Sequence, residues 1–107
     1  EVPASAAVMR TEPFGPIAPV AAFDDLDEAL ALANDSAFAL AGYVVTDHAP
    51  TARQLAQGLN AGAIGVNTFT VALPEVPFGG SDASGWGHEG GPEGLEPYLL
   101  TRFVHEA

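Results

Sequence analysis

The sequence predicts an α/β fold: a parallel β-α-β-α-β segment, then a long glycine-rich loop and a terminal strand. Three observations carry this. Apolar runs at residues 17–23, 40–46 and 63–67 are short, and Ile, Val and Phe make them read as buried strands. Two segments between them place apolar residues at helical spacing. Glycine and proline then crowd residues 74–91, where no periodic pattern survives. Strands joined through helices need crossover connections, which are right-handed and leave the strands parallel.

Ser5 is placed to cap a short turn over residues 6–10, which Pro13 stops. Pro19 in the first apolar run marks the start of a strand or an irregular edge. Asp24, Asp25, Asp27 and Glu28 put negative charge at a helix start. Leu26, Ala29, Leu30 and Ala33 supply that helix with an apolar face over about ten residues, and Asn34-Asp35-Ser36 breaks the pattern. After the run at 40–46, a helix begins at Asp47 or Thr51 and shows Ala52, Leu55, Ala56 and Leu59 on one face. Asn60-Ala61-Gly62 ends it, Gly62 being suited to a left-handed terminal position. Pro92 can open a short helix through Leu95 to Tyr98, kept brief by Pro97. Residues 99–105 read as a strand with an open edge.

With 107 residues the chain makes one domain at most. Its first residue is Glu1 and its one methionine is Met9, so a fragment or a processed chain is expected. Fourteen acidic residues against three arginines and no lysine give a formal net charge of −11, which repels phosphate backbones and argues against nucleic-acid partners. No apolar run approaches the ~20 residues needed to span a bilayer, so no membrane role is expected. The absence of cysteine removes disulfides, thiolate metal sites and a cysteine nucleophile from this chain.

The stretch most able to carry function is Glu12-Pro13-Phe14-Gly15-Pro16. Two prolines and a glycine exclude a helix or a regular strand, leaving a shaped turn that presents a carboxylate and an aromatic ring two positions apart. The plainer reading is a surface turn with Phe14 tucked into the core. Residues 85–90 match GxGxxG, but a loop precedes them and a proline-bearing segment comes after, so a dinucleotide phosphate loop lacks its context. Asp82, Ser84 and His88 are crowded on one loop without a nucleophile elbow, which argues against a hydrolase. His48, His88 and His105 lack metal-ligand spacing and are expected as surface or capping residues.

The order of Glu12-Pro13-Phe14-Gly15-Pro16, helix, strand, helix, Gly65-Val66-Asn67, Pro77-Phe78-Gly79-Gly80 and the glycine-rich Ser84 to Gly91 resembles the aldehyde dehydrogenase superfamily. The resemblance spans essentially the whole chain and points to the C-terminal part of the catalytic domain over residues 1–98, with an oligomerisation strand at 99–107. It implies that Glu12 binds the nicotinamide ribose hydroxyls of NAD or NADP, that Phe14 packs beside the nicotinamide ring, and that Phe78 lines the aldehyde tunnel. Residues 68–76 resemble the variable loop that sets substrate choice, here with no arginine to suit a carboxylate-bearing semialdehyde. Ser81-Asp82 stands where many relatives carry lysine, which puts an ion pair of that lysine in doubt.

The family's cysteine nucleophile, general-base glutamate and oxyanion asparagine belong to upstream motifs, so no catalytic residue is assigned within this chain and Glu75 and Glu89 do not take those roles. The resemblance therefore implies a piece of an NAD(P)-dependent aldehyde dehydrogenase, inactive alone, that oxidises an aldehyde (a semialdehyde included) to the acid. Its expected partners are the remainder of the enzyme and further copies in a dimer or tetramer, and its expected location is the cytoplasm. A different class of reading is a non-catalytic module that pairs through its terminal edge strand. An in-frame cysteine motif upstream favours the enzyme, and a start codon close to Glu1 favours the module.

Overall fold

Leu40 to Asn67 is where the apolar pattern and the backbone agree most closely. In the computed structural model, which describes residues 2–3 and 5–107, strand β1 (Ala41–Val44) and strand β2 (Ala63–Val66) pair in parallel, Ala41 opposite Ala63 and Val44 opposite Val66. The crossover between them contains helix α3 (Ala49–Gly58). Pro50 lies in the first turn of α3, where a missing N–H costs nothing. The N-cap residue is His48, between the two starts expected from sequence; its side chain makes no cap bond, and its Nδ1 lies 2.8 Å from Thr51 Oγ1. Among the described residues, Ala39, Val44 and Ala63 are the buried apolar side chains.

Helix α2 (Leu26–Asn34) begins as its acidic start predicts. The Asp25 carboxylate accepts the Glu28 N–H at 2.9 Å, and the Glu28 carboxylate accepts the Asp24 N–H at 2.7 Å. One orphan donor of the first turn, the Glu28 N–H, is thereby satisfied together with the N–H of the residue before the cap. At the other end, Asn34 Nδ2 donates to the Gly58 carbonyl and Asn34 Oδ1 accepts the Asn60 N–H, both at 2.8 Å. One amide thus ties the ends of α2 and α3 together. The helices approach closely at Gly58, where Leu30 Cδ1 of α2 lies 2.6 Å from the place a Cβ would take.

Several expectations are corrected. Helix α1 (Ala7–Arg10) has Ala6 as its N-cap with no side-chain bond, so Ser5 is not the cap. Gly62 does not take the left-handed conformation, which falls to Gly85, Gly90 and Gly91 among the glycines. Its requirement is space instead: a Cβ on Gly62 would run into the Gly79 carbonyl and lie 3.0 Å from Gly80 Cα. Residues 17–23 form no strand among the described residues, and Val20 is 88% exposed. A strand exists only when a second backbone pairs with it, and neither β1 nor β2 does so here. The β-α-β unit around α3 is therefore present, while the first expected strand is unpaired.

The glycine-rich stretch is not wholly irregular. Strand β3 (Phe78–Gly79) and strand β4 (His88–Glu89) form a small antiparallel pair, Phe78 opposite Glu89 and Gly79 opposite His88. Gly79 permits it, since a Cβ there would strike the Gly87 carbonyl. A 3₁₀ helix comes next at Glu93–Tyr98, with Pro92 as its N-cap and Pro97 inside it, close to the brief helix expected. Residues 99–105 are also unpaired among the described residues, with Leu100 97% and Phe103 87% exposed. The Phe103 and His105 rings stack 6.5 Å apart at 7°, as side chains two apart on one side of an extended chain can.

These open segments show in the dimensions. The radius of gyration is 17.7 Å, against about 13 Å for a compact chain of this length. The accessible surface of 8399 Å² likewise exceeds the about 5,600 Å² that a compact protein of 10.9 kDa would present.

Candidate functional site

The turn at residues 12–16 is built as its composition demands. The Ile17 N–H donates to the Gly15 carbonyl at 2.8 Å, closing a tight three-residue turn over Pro16. At its entrance, Arg10 grips Asp35, the C-cap residue of α2, with Nη1 3.1 Å from Oδ1 and Nη2 3.0 Å from Oδ2. This fork-to-fork geometry fixes direction as well as charge, because both guanidinium nitrogens must lie in one plane with the carboxylate. Arg10, one of the three arginines, therefore anchors the turn to α2.

Glu12 and Phe14 both face an open cleft of about 750 Å³, whose walls also include Leu40, Gly42, Asn60 and Ser84. Phe14 is 94% exposed, so the reading that tucks its ring into the core is wrong for this chain. An acceptor-only carboxylate and a flat apolar ring on one wall can hold a hydroxyl-rich ligand that also presents a planar face.

Phe78 is not part of that cleft. It is half-buried in β3, and its hairpin is attached to the segment before β1 by several bonds. The Ala83 N–H donates to the Ala37 carbonyl at 3.0 Å, Phe38 and Asp82 form an isolated antiparallel bridge, and Ser84 Oγ accepts the Ala39 N–H at 3.0 Å. The structure thus brings Glu12 and Phe14 together and keeps Phe78 on a separate element joined to the cleft through Ser84.

That bond also disposes of the triad. Ser84 Oγ serves the backbone of Ala39 and Asp82 Oδ2 accepts from Ser81 Oγ at 2.9 Å, with no bond linking Ser84 to His88 among the described residues. The GxGxxG match resolves into a turn at Gly85 (φ 91°) and a close approach at Gly90 (φ 70°), where a Cβ would lie 2.6 Å from the Val76 carbonyl. The helix after it is a 3₁₀ helix of six residues, so the long helix of a phosphate loop is lacking. Among the described residues no group of three His, Asp or Glu side chains is placed to hold a metal ion. None of the helices among them is long and apolar enough to cross a membrane.

Sequence reasoning missed the two asparagines that clamp backbone, Asn34 and Asn67. Their signal was position: each sits at the end of a regular element, where a short amide can replace a missing backbone partner.

Known proteins match this chain along nearly its whole length. The profile of the aldehyde dehydrogenase family covers residues 1–104. The chain belongs to that family. A 4-(hydroxymethyl)benzenesulfonate dehydrogenase of Comamonas testosteroni is 47% identical over 105 residues, which are 98% of this chain and 22% of that protein. A glutarate-semialdehyde dehydrogenase of Pseudomonas putida is 39% identical over 97% of this chain and 22% of its own length. The crystal structure of apo betaine aldehyde dehydrogenase from Staphylococcus aureus superposes with a TM-score of 0.90 at 37% identity, over 95% of this chain and 20% of that one. The same enzyme in complex with NAD+ gives 0.88 at 38% identity, over 92% and 20%. The fold is accordingly the α/β fold of this family, and the chain spans about a fifth of the length of the relatives it matches.

Proposed function

We propose that this chain is the C-terminal part of the catalytic domain of a cytoplasmic, NAD- or NADP-dependent aldehyde dehydrogenase that oxidises an aldehyde, semialdehydes included, to the carboxylic acid. The observation that carries it is the match over residues 1–104 to a family whose relatives include an NAD+ complex and NADP-dependent semialdehyde dehydrogenases, with Glu12 and Phe14 both lining one cleft. When bound, the nicotinamide cofactor accepts the hydride that leaves the aldehyde. Glu12 would accept the two nicotinamide-ribose hydroxyls and Phe14 would wall the ring. Phe78 would line the aldehyde tunnel. The nucleophile belongs to the remainder of the enzyme, since no cysteine stands in these 107 residues.

The exposed apolar residues support the same reading. Val20, Phe23, Leu100 and Phe103 lie on segments without a sheet partner, and the remainder of the enzyme and further copies of it would supply the missing backbones. Residues 99–107 are the proposed oligomer contact. Deleting them from the complete enzyme should lower its mass in light scattering from that of a dimer or tetramer. A truncated enzyme with native mass and activity removes the tail from the interface.

The substrate half of the proposal is tested at Phe78. In the complete enzyme, Phe78→Ala should reorder aldehydes by chain length, shifting their kcat/KM ratios about tenfold while the KM for NAD moves little, since a changed apolar pocket discriminates by about 1–3 kcal/mol. Equal losses for every aldehyde, with a stability drop of about 3–5 kcal/mol, would make Phe78 an ordinary packing residue.

A further inference from the structure

We infer that Asn67 is a positioning residue for substrate choice: its amide locks the exit of β2 onto Thr46 and sets the direction in which residues 68–76 leave the sheet. The inference rests on the reading of those residues as the loop that selects the aldehyde.

Its ground is a pair of hydrogen bonds made by one side chain. The Thr46 N–H donates to Asn67 Oδ1 and Asn67 Nδ2 donates to the Thr46 carbonyl, both at 2.9 Å. Both backbone groups of Thr46, two residues beyond β1, are thereby taken by an amide that acts as one more rung of the ladder. The Asn67 N–H still bonds the Val44 carbonyl at 2.8 Å, so Asn67 is the last residue on the β-ladder and the first to leave it. It leaves with φ at 55°, in the left-handed region that asparagine tolerates and branched side chains resist. Backbone direction and side-chain clamp are both set at this position.

The residues just past Asn67 are laid against the strand pair. The Thr68 carbonyl occupies the space that a side chain on Gly65 would need, and Val71 Cγ1 stands 3.1 Å from the same point. The Phe69 ring lies 5.3 Å from the ring of Tyr43 in β1, tilted by 53°. Thr68 Oγ1 accepts the Thr70 N–H at 3.1 Å. Residues 68–71 thus touch the strand pair through the Thr68 carbonyl, the Phe69 ring and Val71 while most of their surface stays exposed, and the angle at which residues 72–76 continue depends on how Asn67 launches them.

Two substitutions separate the clamp from the backbone angle. Asn67→Gly accepts the positive φ and loses both bonds. Asn67→Asp keeps an acceptor for the Thr46 N–H and sets a second acceptor against the Thr46 carbonyl. In the complete enzyme, Asn67→Gly should change the ratio of kcat/KM between aromatic and straight-chain aldehydes tenfold or more and keep the KM for NAD within twofold. Asn67→Asp should move that ratio the same way by less. Hydrogen exchange should show the Thr46 amide deprotected in the glycine variant and protected in the aspartate variant.

An unchanged ratio, or an equal loss on every aldehyde, overturns the inference. Phe69→Ala and Leu73→Ala tell the two ways of failing apart. If they reorder the aldehydes while Asn67→Gly does not, Asn67 has no positioning role. If they too leave the order unchanged, the loop does not select substrate and both readings fall. Should the glycine variant not fold, the ratio measured with Asn67→Asp decides in the same way.

Discussion

Glu12→Gln in the complete enzyme is expected to slow hydride transfer about 30-fold and to leave the Tm nearly unchanged. Glutamine keeps the length and one acceptor oxygen, but it turns two charge-assisted hydrogen bonds into one neutral bond and a donor facing a hydroxyl. Charge-assisted bonds contribute about 1.5–3 kcal/mol and neutral ones about 0.5–1.5, so a loss of about 2 kcal/mol at the ribose is a moderate expectation. That is roughly 30-fold if it falls on the transition state. Stability is spared because Glu12 is exposed and the turn that carries it is held by Pro13, Pro16 and the Arg10–Asp35 fork. Single-turnover formation of NADH gives the direct reading. Unaltered single-turnover and steady-state rates would remove Glu12 from the cofactor site.

The second large effect is expected on the fold. Gly62→Ala adds one methyl group, and that group has nowhere to go, because the Gly79 carbonyl and Gly80 Cα already fill its place. Both obstacles are backbone, so no rotamer change relieves them, and β2 and the β3–β4 pair must move apart. Overpacking of this kind costs about 1–3 kcal/mol, and more where the neighbours are rigid. The complete enzyme should melt at a clearly lower temperature. It should also favour different aldehydes, since the displaced hairpin carries Phe78. A Gly62→Ala enzyme with wild-type Tm would mean that the two backbones do not meet in the assembled protein.

Gly62 also illustrates where reading a sequence stops. Its place after α3 suggested a left-handed helix terminus, a local property; its true constraint comes from Gly79, seventeen positions on, and no local rule contains that contact. Asn34 and Asn67 are alike in this. Each could be recognised as an element end, while the backbone it clamps, at Gly58 and Asn60 or at Thr46, becomes a neighbour only after a crossover. The β3–β4 pair was hidden because two-residue strands have no period to detect.

What the sequence by itself determined was whatever depends on neighbours within a turn or two of chain. The acidic start of α2, the apolar faces of α2 and α3 and the proline-glycine turn presenting Glu12 and Phe14 belong to that class, while the parallel β-α-β unit was legible through its alternation of short apolar runs and helical segments. So did membership of the family, through the order and spacing of its motifs. Only the tertiary structure decided which strands exist. Residues 17–23 and 99–105 have the composition of strands and remain unpaired, because apolar alternation selects a backbone that can pair while the hydrogen bonds that make it a strand come from another one. It alone decided, too, that Glu12 and Phe14 share a cleft with Ser84 while Phe78 stands on a separate hairpin, since distances between elements arise from packing and glycine contacts that no stretch of sequence records.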